Sequence, residues 1–201
     1  RKNFGKKLAE EHPLQVDAIV PVPLTAIPVA LGYSEVSGIP MEMALEKNRY
    51  VHRTFIEPDQ KSRENSVALK LIPLKEVLTG KKIAVIDDSI VRGTTSRGIV
   101  KTLFKAGAKE VHFLVSSPPI RFPDFYGIDT PKQKQLLASS KTIEEMRKFL
   151  GATSLHYLSL ESLIKSIGLP KEKLCTSFFT GEYPIDLKER LKEVNYDVPK
   201  D

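Results

Sequence analysis

Short apolar runs alternate with stretches of helical periodicity along this chain. Residues 17–22, 82–86 and 111–116 are rich in β-branched and other apolar side chains, as is typical of buried strands. Between the second and third runs, residues 96–106 place their apolar side chains on one helical face, and Gly107 follows where helices commonly end. Strand, helix and strand within about 35 residues form a βαβ unit. The pattern therefore predicts a parallel sheet and an α/β fold.

Weaker patterns predict four further elements and two loops. Glu145 lies three residues after Thr142, which is a capping-box pattern that opens a helix. Residues 47–70 and 117–135 show no sustained period, so we interpret both stretches as functional loops. The further elements are a helix at 25–37, a helix from Thr142 to Gly151, an edge strand at 155–158, and a helix at 160–167 followed by Gly168.

The length of 201 residues suits a soluble domain with a sizeable core. We divide it into a core at 1–140, which includes a flexible loop at about 47–70, and a C-terminal helical segment with a tail at 141–201. Cys175 is the single cysteine, which excludes an intramolecular disulfide and a multi-cysteine zinc site. We therefore expect a reducing, cytoplasmic setting.

Charge and hydropathy bear on the partners. The chain has 31 basic and 25 acidic side chains and a net charge of +6, which favours acidic partners without choosing between nucleic acid and phosphorylated metabolites. No apolar stretch approaches the roughly 20 residues of a membrane span, and the charged N-terminus lacks the apolar region of a targeting segment. Because the chain begins with Arg1 and not Met, we expect a fragment of a longer protein.

The junction between the second predicted strand and the following helix carries the densest chemistry. Asp87 and Asp88 leave the strand where open α/β sheets bind ligands, and two carboxylates there suit a vicinal diol or Mg²⁺. Gly93 permits close backbone approach, and the hydroxyls that follow it, together with the free N–H groups of a helix start, suit an anion. These hydroxyl residues are Thr94, Thr95 and Ser96. The junction predicts a pocket for a ribose 5-phosphate.

A purely structural interpretation competes with this one. A turn and a helix cap explain each of these residues singly, but not the density of hydroxyls or the second aspartate. A Walker-type phosphate loop is excluded because its glycine and lysine pattern is absent.

Four segments resemble one family. DDSIVRGTTS at 87–96 is similar to the motif of type I phosphoribosyltransferases that binds phosphoribosylpyrophosphate, PRPP. KNRYVHRTFI at 47–56, RFPDFYGIDT at 121–130 and FTGEYP at 179–184 resemble the glutamine PRPP amidotransferases of purine synthesis. The similarity runs from Arg1 to about Asp186. It implies the type I phosphoribosyltransferase fold, a central, mostly parallel sheet flanked by helices, with a C-terminal helical extension.

The resemblance also implies roles for individual residues. Asp87 and Asp88 would hold the ribose hydroxyls and Mg²⁺, and Thr25 would lie near the metal in a pyrophosphate loop that includes Pro23. This loop departs from the family pattern at Leu24, where an acidic residue is usual, and at Ala26, which puts direct metal contact by the loop in doubt. The 5-phosphate would be cradled by Arg92, Gly93, Thr94, Thr95 and Ser96, and Ser89 would be a further substrate-binding residue.

A flexible loop would carry the catalytic cations. The resemblance assigns this role to Lys47, Arg49, Tyr50 and Arg53. Loss of pyrophosphate from the anomeric carbon leaves negative charge on the leaving group, which cations and Mg²⁺ stabilise. A closing loop would also exclude water from the activated ribose.

The expected whole reaction forms 5-phosphoribosylamine and pyrophosphate from PRPP and ammonia derived from glutamine. In the family a separate N-terminal domain hydrolyses glutamine with an N-terminal cysteine, so we expect that domain to be missing here or on another chain. Some members hold a [4Fe–4S] cluster, but the aligned positions are Asp124, Glu172 and Cys175, so no iron–sulfur cluster is expected.

The remaining partners follow from the family. We expect purine nucleotide inhibitors and a homo-oligomer, and neither nucleic acid nor a membrane. Two alternatives stay open: a salvage phosphoribosyltransferase that acts on a nucleobase, and a non-catalytic regulator that binds PRPP.

Overall fold

A computed structural model of the protein describes residues 1–48, 71–128, 130 and 132–194. Its centre is a parallel sheet of four strands, in the order β1-β4-β5-β6. Beside it lies an antiparallel pair formed by β2 and β3. The strands are β1 Ala18–Pro21, β2 Leu45–Lys47, β3 Leu71–Pro73, β4 Lys82–Asp87, β5 Glu110–Val115 and β6 Ser154–Tyr157.

Helices connect and cover these strands. The described α-helices are α1 Lys2–Glu11, α2 Ile27–Ser37, α3 Lys75–Leu78, α4 Thr94–Lys105, α5 Ile143–Leu150, α6 Leu160–Ile167 and α7 Ser177–Thr180. Four short 3₁₀ turns are Gln133–Gln135, Leu137–Ser139, Lys171–Lys173 and Lys188–Glu193. Among the described residues, no helix is long and apolar enough to cross a membrane.

The predicted strands and helices are confirmed, with boundaries shifted by one or two residues. The capping box of Thr142 and Glu145 forms as expected at the start of α5. Gly151 and Gly168 follow α5 and α6 in the left-handed conformation. The helices α1, α3 and α7 and the strands β2 and β3 were not predicted. The buried residues of α1 do lie on one face, whereas the other four elements are three or four residues long, too short to show a period.

The sheet is covered by helices on both faces. Alternate residues of the strands, such as Val85 and Phe113, pack with α4 and α5 in one core cluster. The intervening residues, such as Ile86 and Leu114, pack with α1 and α2 in a second cluster. The near-continuous burial of β4 on both faces explains its unbroken apolar sequence. The predicted α/β fold with a flanked parallel sheet is confirmed.

The chain changes direction across the sheet between β1 and β4. After β1, it passes through α2 on one face and returns at Met41, which forms a parallel bridge with Ile19 on the edge of β1 away from β4. The chain from β4 onward moves the opposite way, through α4 on the other face, to β5. Such a switch point opens a crevice at the carboxyl ends of the two strands. The fold therefore places a ligand site where β1 and β4 end.

The C-terminal segment contributes to the sheet as well as to the helical layers. The strand β6 lies after residue 140 and pairs with β5 in parallel, with Leu155 opposite Phe113. The helices α5 and α6 flank β6 in the chain. The proposed division of the chain at residue 140 stays a prediction.

Two glycines allow α1 to approach α2 closely. A Cβ atom on Gly5 would lie 1.8 Å from the backbone oxygen of Val29, and one on Gly32 would lie 2.0 Å from the backbone oxygen of Lys2. The side chain of Glu35 contacts Lys2 and Lys6, but these pairs are substantially exposed and add little to stability. The backbone contact at the two glycines therefore sets the distance between α1 and α2.

We expect Gly32→Ala to lower the free energy of unfolding by about 1 to 3 kcal/mol, because the added methyl group overlaps backbone that has no room to move. Urea unfolding measures the effect, and Asn3→Ala at an exposed position of α1 is the control. A Gly32→Ala protein as stable as the parent would contradict this account of the helix contact.

Three histidines meet beside the edge strand β6. The rings of His12 and His156 are 4.7 Å apart, and the Oγ atom of Ser154 lies 3.0 Å from His156 Nε2 and 2.9 Å from His112 Nδ1. Burial of the His156 ring, with the nearby His12 and His112, lowers its pKa from 6.5 to about 4. The cluster therefore holds His156 neutral at pH values where a free histidine binds a proton.

This lowered pKa predicts a loss of stability in mild acid. Above pH 6.5, His156 is neutral in both states and contributes no pH dependence; below it, the unfolded chain takes up a proton that the folded chain does not. We expect His156 to cost about 1 kcal/mol at pH 5, less than the full shift because the ring is partly exposed to solvent. His156→Asn should flatten this part of the profile in urea unfolding at pH 8, 6 and 5. Parallel profiles for parent and variant would contradict the prediction.

Candidate functional site

Two adjacent carboxylates mark the carboxyl end of β4. Asp87 is the last residue of the strand and only 7% exposed, whereas Asp88 is exposed. The backbone N–H of Asp88 donates a 2.9 Å hydrogen bond to Asp87 Oδ1. The structure thus presents one buried and one solvent-facing carboxyl group side by side at the switch point.

Burial is the main electrostatic influence on Asp87. It raises the pKa of the Asp87 carboxyl group to about 7, and the charge of Asp88 acts in the same direction. No ion pair to either aspartate is formed within the part of the chain that the structure describes. The ionised pair is therefore under-compensated, and hydroxyl donors or a cation would stabilise it.

The helix α4 begins at Gly93 and points its N-terminus toward this edge. Gly93 is the N-cap residue, with a φ of 76°, and it has no side chain to occupy the free N–H groups of the first turn. Thr94 is half-buried, Thr95 is exposed and Ser96 is buried within that turn. Free N–H groups, neighbouring hydroxyls and the helix dipole together favour an anion.

The remaining predicted substrate-binding residues after β4 lie in the loop before α4. Ser89 is half-buried, and Ile90 anchors the loop in the core with 2% exposure. Arg92 is exposed, and its Nη2 atom donates a 3.3 Å hydrogen bond to Gln135 Oε1. The cradle residues are therefore contiguous with the two aspartates, as the sequence predicts.

The loop after β1 lies beside the loop after β4. The register pairs Pro21 with Ile86, and the N–H of Val22 donates a 2.8 Å hydrogen bond to the oxygen of Ile86. Pro23 is half-buried, and Thr25 is exposed at this edge. The peptide bond between Pro23 and Leu24 is cis. The predicted pyrophosphate loop and the predicted ribose site therefore belong to neighbouring strand ends.

The predicted catalytic loop is only partly described. Lys47 is the last residue of β2 and is exposed. Arg49, Tyr50 and Arg53 lie outside the described residues. Among the described residues, no hydrogen bond or ion pair joins Lys47 to Asp87 or Asp88, so the catalytic role of this group stays a prediction.

The side chains at this edge bear on metal binding. No group of three or more His, Cys, Asp or Glu residues that could hold a metal is found in the described ranges. The residues that would hold a metal here are Asp87 and Asp88, with Thr25 on the neighbouring loop. Such a set fits Mg²⁺, which is commonly bound by one or two carboxylates, with substrate phosphates and water as further ligands.

The positions aligned with cluster ligands serve other contacts. Asp124 Oδ2 accepts hydrogen bonds from the N–H groups of Tyr126, at 2.9 Å, and Ile128, at 2.7 Å, which builds a turn. The Cys175 sulfur lies 3.2 Å from the Ser177 hydroxyl. The expectation of no iron–sulfur cluster stays a prediction.

Two contacts of the site were missed by sequence reasoning. The N–H of Ser116, which follows β5, donates a 3.0 Å hydrogen bond to the backbone oxygen of Asp87. The N–H of Leu137 donates a 2.8 Å hydrogen bond to the backbone oxygen of Val91. The lack of periodicity at 117–135 predicts a loop, but it does not predict that the chain after this loop contacts the site.

A cavity of about 700 Å³ lies along α4 and is lined by Thr94 and Arg97, but by neither aspartate.

Comparisons with known proteins place the chain among amidophosphoribosyltransferases, although no protein-family model matches it. It is 49% identical over 193 residues to the amidophosphoribosyltransferase of Methanothermobacter thermautotrophicus, covering 96% of this chain and 41% of the relative. With that of Methanocaldococcus jannaschii, identity is 53% over 187 residues, covering 93% of this chain and 39% of the relative.

Solved structures agree with the sequence comparison. The fold matches glutamine PRPP amidotransferase from Bacillus subtilis complexed with ADP and GMP, with a TM-score of 0.83 and 47% identity, covering 98% of this chain and 43% of that one. This chain thus spans about two fifths of the length of the curated relatives that it matches. By sequence and fold, it belongs to the amidophosphoribosyltransferase family as the phosphoribosyltransferase portion.

Proposed function

We propose that this chain carries the phosphoribosyl-transfer site of an amidophosphoribosyltransferase in purine synthesis. The observation that carries the proposal is the buried Asp87 and the exposed Asp88, joined by the loop 89–93 to a helix whose first turn is open to an anion. The similarity to amidophosphoribosyltransferases over 96% of the chain supports the choice of reaction. The substrates would be PRPP and ammonia, and the products 5-phosphoribosylamine and pyrophosphate.

In this reaction the site orients the ribose and its phosphate. Asp87 and Asp88 accept hydrogen bonds from the ribose hydroxyls, and the first turn of α4 binds the 5-phosphate through N–H groups and the hydroxyls of Thr94, Thr95 and Ser96. The ammonia lone pair forms the new C–N bond at the anomeric carbon as the bond to the pyrophosphate oxygen breaks. The pyrophosphate takes that electron pair, and the added nitrogen gives up one proton to solvent.

The site stabilises the charges that develop as the bond between the anomeric carbon and the pyrophosphate oxygen breaks. Positive charge develops on the ribose, and the nearby carboxylates stabilise it. A Mg²⁺ ion held by Asp87, Asp88 and the Thr25 hydroxyl, together with substrate oxygens, would stabilise negative charge on the leaving pyrophosphate. Lys47, Arg49, Tyr50 and Arg53 would close over the pyrophosphate and keep water from the anomeric carbon.

The family also suggests partners. We infer that ammonia reaches the site from glutamine hydrolysed in a part of the protein outside these 201 residues or on another chain. The Bacillus subtilis relative holds ADP and GMP, which supports purine nucleotides as inhibitors of this protein. We further propose a cytoplasmic homo-oligomer that binds neither nucleic acid nor a membrane.

The carboxylates supply the first test. We expect the double variant Asp87→Asn, Asp88→Asn to bind PRPP with Mg²⁺ about 100-fold more weakly in calorimetry, because two charge-assisted acceptors are lost. The matched control is Asp17→Asn, at the opposite end of the sheet, where the side chain accepts a hydrogen bond from the Lys82 N–H. Unchanged affinity in the double variant would overturn the assignment of the site.

The nucleophile supplies the second test. With PRPP and Mg²⁺, we expect the 201-residue polypeptide to release pyrophosphate when ammonia is added, and to release no glutamate from glutamine. Cys175, the single cysteine, lies far from the N-terminus in the sequence and is exposed at the surface, whereas the family hydrolyses glutamine with an N-terminal cysteine. Glutamine turnover by this polypeptide would contradict that expectation. Pyrophosphate release driven by a nucleobase would favour a salvage enzyme, and PRPP binding without turnover would favour a regulator.

A further inference from the structure

The loop before α4 is held from behind by a segment distant in sequence. The 3₁₀ turn Leu137–Ser139 lies against it, and the N–H of Leu137 donates a 2.8 Å hydrogen bond to the oxygen of Val91. Leu137 is 7% exposed and belongs to the core cluster beneath α4 and α5. The contact therefore joins the loop to the core of the protein.

The Leu137 side chain also covers Gly93. A Cβ atom on Gly93 would lie 2.7 Å from Leu137 Cδ2 and 3.0 Å from Phe149 Cε1, so these two side chains occupy the space next to the glycine. Gly93 has a φ of 76°, a backbone conformation that sets the direction in which α4 starts. The packing therefore restrains the residue on which the orientation of the first helical turn depends.

The segment that carries Leu137 has its own internal support. The hydroxyl oxygen of Ser139 lies 2.6 Å from the backbone oxygen of Gln133 and 2.8 Å from that of Leu136, so the two oxygens share its single proton. The Arg97 guanidinium lies 5.2 Å from the centroid of the Phe149 ring, which is a cation–π contact. The segment that carries Leu137 and the ring of Phe149 therefore each have further contacts that support them.

On the loop side, two side chains give support. Ile90 packs in the core with 2% exposure, and the exposed Arg92 donates a 3.3 Å hydrogen bond from its Nη2 atom to Gln135 Oε1 of the same distant segment. We propose that Leu137, packed on Gly93 and bonded to Val91, is a positioning residue that holds the loop and the start of α4 in the geometry that binds phosphate. The identity of the ligand in this proposal rests on the proposed function, whereas the restraint of the loop by Leu137 does not.

The test compares Leu137→Ala with two other variants. Leu137→Ala keeps the backbone hydrogen bond and removes the side chain over Gly93. We expect about tenfold weaker binding of ribose 5-phosphate and of PRPP in calorimetry, with faster hydrogen exchange at the amides of residues 91–96. Leu137→Met should restore both, because it refills the space. The control is Leu155→Ala, a 5% exposed leucine of the same core cluster in β6, which should change neither readout.

A second comparison isolates the contact with Gly93. Because the methyl group of Gly93→Ala would overlap Leu137, that substitution should weaken binding by a smaller factor in the Leu137→Ala background than in the parent. Equal factors in the two backgrounds would overturn the proposal. The proposal would also be overturned if Leu137→Ala matched the parent in the hydrogen exchange of residues 91–96 or in its affinity for the sugar phosphates. Changes in Leu155→Ala as large as those in Leu137→Ala would overturn it too. If the parent binds neither sugar phosphate, the proposed function fails, and the exchange data alone decide the role of Leu137.

Discussion

The parallel pairing of β1 with β4 is the constraint on which the site depends. Its register places Pro21 beside Ile86, so the two strands end together and their loops emerge side by side. The helices that follow lie on opposite faces of the sheet, which leaves the space between the loops open. A shift of one residue in this pairing would exchange the two buried faces of β4 between the two core clusters and separate Asp87 from the loop at Thr25. Core packing and site geometry are therefore fixed by the same contact.

Asp87 illustrates the conflict between stability and binding at this site. Its carboxyl group is buried beside a second carboxyl group, and both effects raise its pKa. A buried charge without a partner disfavours the folded state, and ribose hydroxyls or a cation would relieve that cost when they bind. The N–H of Ser116 donates a hydrogen bond to the backbone carbonyl oxygen of Asp87, which holds the backbone at this position while the carboxyl group bears the electrostatic cost.

Local signals predicted a large part of the fold. The β-branched run of β4, the capping box at Thr142 and the glycines after α5 and α6 act within a few residues, and each of these predictions is confirmed. The contacts that escaped prediction join distant parts of the chain. α1 is held by the approach of Gly5 to Val29, and the loop at Gly93 by Leu137, and neither partner can be identified from spacing along the chain. The carboxylates and hydroxyls of the site were predictable because they are contiguous in sequence, whereas the residues that support them are not.

The two departures from the family pattern in the loop after β1 differ in physical character. Ala26 is the N-cap residue of α2 and is fully buried in the core cluster that includes Ile19 and Leu114, so its side chain serves the core. Leu24, by contrast, is 63% exposed next to Thr25. An apolar side chain at that place offers no ligand to a metal and no charge to pyrophosphate. In the proposed reaction, the polar side chain of this loop would therefore be Thr25, and charge compensation would fall to a metal held by Asp87 and Asp88 and to the basic residues Lys47, Arg49 and Arg53.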